Sequence, residues 1–74
     1  MDFIQRMIDI REDAEHTQRE LGKSIDFNHV QIAKYENRKN VPPIRYLLAF
    51  CQYYEISADY LLGLPKGLDW PREH

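Results

Sequence analysis

The segment Thr17–Glu36, TQRELGKSIDFNHVQIAKYE, restricts the possible folds more than any other part of the chain. Thr17 and Glu20 stand in capping-box spacing, which starts a helix at Gln18, and Asn28 is a good N-cap for another. The first of these helices has room only to about Ser24, and the second only to Tyr35 or Glu36. Helices this short are marginal in water by themselves, so each must bury an apolar side against something else. Leu21 is the anchor of the first; Ile32 and Tyr35, with the small Ala33 between them, form the apolar side of the second. Ile25 and Phe27 bracket Asp26 in the turn and are expected to face the core. Gly22 in mid-helix costs roughly 1 kcal/mol against Ala, which fits a place where another helix backbone comes very close.

The flanking sequence supplies the missing partners. Asp2 caps a preceding helix, with Gln5 in capping-box spacing, and Phe3, Met7, Ile10 and Ala14 recur at helical period, widened by Ile4 and Ile8. Asp9, Glu12, Asp13 and Glu15 fall mostly on the other, solvated face, while Arg11 adjoins the apolar stripe. After the pair, Asn37-Arg38-Lys39-Asn40 is a polar turn in which Asn37 is expected to take the left-handed conformation. Val41-Pro42-Pro43 enforces an extended entry into a fourth helix, with Ile44, Leu47, Leu48, Cys51 and Tyr54 as its stripe and Phe50 alongside. Ser57 opens a fifth short helix that Gly63 ends. The expectation is an all-α domain of five helices over residues 1–63, followed by a short irregular tail, 64–74. In that tail Leu68 and Trp70 either fold back or join a dimer contact.

Composition narrows the function classes. With 74 residues, 43% of them hydrophobic, the chain can build one core. Its single cysteine rules out an intrachain disulfide and leaves a Cys-based zinc site without ligands, so Cys51 reads as a small buried hydrophobe in a reducing, cytosolic setting. No apolar run approaches membrane length, and Asp2 and Asp9 interrupt any signal-peptide pattern. Three histidines (His16, His29, His74), one cysteine and scattered acids form no nucleophile, metal or phosphate-loop constellation, so neither an enzyme nor a cofactor is expected. The net charge of −2 speaks against nucleic acid until its distribution is considered. Residues 16–40 carry five cations (Arg19, Lys23, Lys34, Arg38, Lys39) against three acids (Glu20, Asp26, Glu36), an excess of two; both flanks are net negative.

The positive excess coincides with the paired short helices, and the second of them presents His29, Val30, Gln31 and Lys34 away from its apolar side. A helix–turn–helix that inserts its second helix into the DNA major groove is built this way. There Val30 would meet a thymine methyl, or else it covers the edge of the core. His29 is either a base or phosphate contact or an ordinary surface histidine.

Five segments then carry a family resemblance: Ile10-Arg11-Glu12-Asp13, T-Q-x-E-L at 17–21, I-x-K-Y-E at 32–36, Pro42, and I-S-A-D-Y-L-L-G at 56–63. Together, at these spacings, they resemble the phage repressor-like (Cro/C1, or XRE) helix-turn-helix proteins over residues 10–63. The resemblance implies a five-helix lambda repressor-like domain acting as a sequence-specific regulator, a repressor, that binds a palindromic operator in double-stranded DNA as a homodimer. It implies base reading by Asn28, His29, Val30 and Lys34. Phosphate contacts would come from Gln18 (by side chain or helix N-terminal amides), Asn37 and Lys39, with Arg38 adding a basic contact. It implies an Arg11–Glu36 salt bridge tying the first helix to the third, with Arg11 also reaching a phosphate, and a bacterial or phage-encoded cytoplasmic protein. Three positions depart from the family's usual residues. Gly22 stands for Ala, a swap expected to be harmless; Asp26 stands for Gly at a left-handed turn; and Arg38 stands for Gly, which would pass the turn role to Asn37. An alternative keeps the fold as a protein-interaction module, an antitoxin or the partner of an anti-repressor, using the acidic first helix and the Trp70 tail.

Overall fold

The computed structural model describes residues 2–64, and these form five helices with no strand among them: α1 (Phe3–Asp13), α2 (Gln18–Ile25), α3 (His29–Glu36), α4 (Ile44–Tyr54) and α5 (Ala58–Leu62). Leu68 and Trp70 lie outside the described residues. The starts follow local chemistry. Asp2 accepts the Gln5 N–H, Thr17 and Glu20 complete a reciprocal capping box, Asn28 accepts the Val30 N–H, and Ser57 accepts the Tyr60 N–H. The Gln5 side chain bonds forward to Asp9 and does not reach back, so the Asp2 cap is one-sided. Pro43 stands at the N-cap of α4, where its missing N–H leaves nothing unsatisfied.

All five helices stop in one manner. A backbone N–H reaches back five residues: His16 to the Arg11 carbonyl, Phe27 to Gly22, Lys39 to Lys34, Ile56 to Cys51 and Leu64 to Asp59. This closure requires a left-handed residue just before the donor, usually glycine. Only α5 has one, Gly63; α1 to α4 end on Glu15, Asp26, Arg38 and Glu55, all at φ between 54° and 61°. Asp26 therefore occupies the left-handed turn position despite its Cβ. After α3 the role falls to Arg38, whereas Asn37 remains at φ −85°, contrary to the expectation for that turn. The reason is the bond from Lys39 N to Lys34 O, which sets the residue just before Lys39 as the left-handed one. Replacing Asp26 by Gly relieves the Cβ conflict and is expected to raise stability by about 0.5–1 kcal/mol, net of the added unfolded-state freedom. A urea titration would show it, and an unchanged or lower midpoint would contradict it.

Leu21, Ile32, Tyr46, Phe50 and Leu61 are fully buried, joined by Met7, Tyr35 and Cys51 in one cluster to which every helix contributes. Tyr46 is its hub, in ring contact with Phe27, Tyr35 and Phe50 at centroid separations of 5.0, 4.8 and 6.1 Å. Arg45 covers the outer face of Phe27, its guanidinium carbon 4.7 Å from the ring centre. Burial pushes the Tyr46 hydroxyl and the Cys51 thiol above their ordinary pKa values, so both stay neutral in the core.

Two stripes are rotated from their expected phase. In α4 the inward residues are Tyr46, Phe50 and Cys51, while Ile44 is 83% exposed and Leu48 56% exposed. Apolar residues surround α4 almost completely, and the aromatic pair buries more area against the turn than Ile44 and Leu48 could. In α1 the buried positions are Ile4, Met7 and Arg11; Ala14 is exposed because the helix has ended at Asp13.

Candidate nucleic-acid interface

The capped beginning of α3 is solvent-facing while its opposite side holds the core. Ile32 and Tyr35 point inward; Asn28, Val30, Gln31 and Lys34 are exposed, and His29 is half-buried. Val30, at 51% exposure, stands outside the core cluster, so covering the core edge is not its role. The Asn28 side-chain Oδ1 accepts from the Val30 N–H at 2.8 Å, which leaves the side-chain NH2 as the group free to meet a ligand. The exposed face thus offers an amide donor, an imidazole, a branched methyl group and an ammonium within about two turns, a set that can address base edges and a thymine methyl.

Behind this face, Arg11, Gln18 and Glu36 form a junction. Arg11 Nε donates to Glu36 Oε2 at 2.8 Å and Nη2 donates to Oε1 at 3.0 Å, a bidentate pair. Arg11 Nη1 donates to the His16 carbonyl at 2.7 Å, and Gln18 Nε2 donates to Glu36 Oε1 at 2.8 Å. One carboxylate at the end of α3 thereby ties α1, the α1–α2 connection and the start of α2 together. Arg11 is only 9% exposed, and its hydrogen bond to Glu36 raises its pKa above the ordinary arginine value. Gln18 keeps its side-chain oxygen and the first backbone amides of α2 for other partners.

At the far end of α3, Asn37, Arg38 and Lys39 are all exposed. Arg38 reaches across to Asp2 with two contacts of 3.0 and 2.9 Å, closing the start of α1 onto the turn after α3. The Gln5 N–H and this guanidinium together hold the Asp2 carboxyl below its usual pKa. An exposed pair of this kind contributes little stability, so a phosphate could take over Arg38 at small cost.

The structure places Asn28, His29 and Val30 at the start of α3 and Lys34 in its last turn, sets Gln18 beside Glu36, and puts Asn37, Arg38 and Lys39 beyond that turn. It adds residues that the sequence reading left without a role. Gln31 is exposed beside Val30, its side chain near the Asn40 amide. Arg19 and Lys23 line an open cleft between α2 and α3 with Gly22, Asp26, Phe27, Asn28 and His29. Their one-turn spacing along α2 was the available sequence signal. No group of three or more metal-binding side chains occurs among the described residues, and no helix there is long and apolar enough to cross a membrane.

The sequence model of a family described as Helix-turn-helix matches residues 7–61, which takes in α2, the turn, α3 and α4 whole. The chain is also similar to the uncharacterized HTH-type transcriptional regulator YobD of Bacillus subtilis (strain 168), 29% identical over 67 residues. That alignment covers 90% of this chain and 60% of YobD, so the chain spans about 60% of the relative's length. No solved structure matches it.

Proposed function

The chain belongs to the helix-turn-helix family of Cro/C1 type, DNA-binding domains of transcriptional regulators, and from that premise we propose that it is a sequence-specific repressor that reads the major groove with the start of α3. The observation that carries this is the division of α3: Ile32 and Tyr35 buried in the core, Asn28, Val30 and Lys34 exposed on the side away from it. Asn28, His29, Val30 and Lys34 select bases. Gln18 and the first amides of α2, with Asn37, Arg38 and Lys39 behind α3, hold phosphates and set the register. Arg11, buried against Glu36, serves the same surface by fixing where α1 and α3 sit. One such helix spans only a few base pairs. A homodimer on a palindromic operator, with half-sites about 34 Å apart, supplies the remaining specificity.

DNA selected from a random pool by the protein should show a two-fold repeat and give a salt-dependent gel shift. His29→Ala/Lys34→Ala is expected to reduce the preference for that DNA over scrambled duplex on the order of tenfold while leaving the fold intact. Failure of the wild type to bind any duplex at low salt, together with co-purification of a protein partner, would replace this reading with the interaction-module one. The exposed apolar residues Ile44, Leu48 and Leu62 are what favour that second reading.

A further inference from the structure

Arg19 and Lys23 sit one turn apart on the exposed side of α2. Repulsion between like charges at this spacing offsets the small gain of Lys23 from the C-terminal turn of α2, so folding gives little net reason for the pairing. Neither side chain makes a salt bridge or hydrogen bond among the described residues, unlike Arg11 and Arg38. Both open onto the cleft that Asn28 and His29 share, and its single acid is Asp26. The cleft thus joins two free cations to the base-reading end of α3 without a break.

We propose that Arg19 and Lys23 form a second phosphate-binding edge, which grips the DNA strand bordering the groove at the N-terminal end of α3. This rests on the major-groove reading above and extends it. Gln18 holds the backbone at the start of α2, and Asn37, Arg38 and Lys39 hold it past the end of α3. Arg19 and Lys23 contact it where bases are read, and the low net charge of the whole chain makes two local cations matter more. Because phosphates carry no sequence information, these residues add affinity equally on all DNA.

The test is the salt dependence of binding to pool-selected and to scrambled duplex, for the wild type and for Arg19→Gln/Lys23→Gln. Loss of two phosphate contacts should flatten the slope of log K against log salt by about 1.8. Between 50 and 200 mM salt the wild type would then lose roughly 12-fold more affinity than the variant. Both duplexes should weaken by the same factor, and Arg19→Lys/Lys23→Arg should retain the wild-type slope. A variant with the wild-type slope, on a wild type that binds DNA, overturns this inference alone. So does an effect confined to the selected duplex, which would make the pair base readers. A wild type that binds no duplex overturns it together with the major-groove reading.

Discussion

Glu36→Ala should lower the unfolding free energy by about 3–5 kcal/mol, because it leaves a buried arginine without its counter-charge. Arg11 is 9% exposed and gives two of its donors to this one carboxylate. A buried lysine could escape by losing its proton. A guanidinium cannot, and the carboxylate that remains, the exposed Glu12 at 3.9 Å, offsets little of the desolvation penalty. Gln18 loses its partner as well, and the start of α2 loses its attachment to α3. A domain of this size is stable by only about 5–10 kcal/mol, so the variant should be substantially unfolded near 37 °C. Urea titration followed by circular dichroism measures the loss, and a change under about 1 kcal/mol would show that the junction does not hold the fold. Substituting both partners by apolar residues of similar volume, Arg11→Met/Glu36→Leu, should recover most of the stability. That recovery separates a buried-charge penalty from a simple packing defect.

Gly22→Ala should also destabilise, by about 1–3 kcal/mol, although alanine is the better helix former. A Cβ on residue 22 would lie 2.4 Å from the Phe27 carbonyl oxygen, with the His29 nitrogen and an Ile32 methyl each 3.4 Å away. The nearest obstacle is backbone, so no side chain can rotate out of the way. The turn would have to move away from α2, carrying Phe27, Asn28 and His29 with it. Glycine in place of the family's usual alanine is thus suited to this close approach, because here the turn sits too near α2 for a Cβ. The same urea experiment decides the matter, and a variant as stable as the wild type would show that the turn gives way without strain. DNA binding should fall further than the stability loss explains, since two of the residues proposed to read bases, Asn28 and His29, are among those displaced.

These two sites also show how much could be read in advance. The Thr17–Glu20 box and the caps at Asp2, Asn28 and Ser57 were legible because a cap depends on a few consecutive residues. The mid-helix Gly22 pointed to a close approach, but the atom that approaches, the Phe27 carbonyl, belongs to a turn whose path depends on Asp26 being left-handed. A helix end on a non-glycine residue has no compositional marker. The endings at Glu15, Arg38 and Glu55 follow from where the next element must go.

The order, number and starts of the helices, and the outward residues of α3, were thus set by sequence alone, since capping and 3.6-residue periodicity act over one or two turns. The tertiary structure decided which side of α4 turns inward, the pairing of Arg38 with Asp2 across 36 positions, and the cleft that brings Arg19 and Lys23 to Asn28 and His29. A nearly all-apolar helix such as α4 has no preferred phase until a partner is chosen. Its partner was chosen by how well Tyr46 and Phe50 fill the space beside Phe27 and Tyr35, a property of packing in three dimensions.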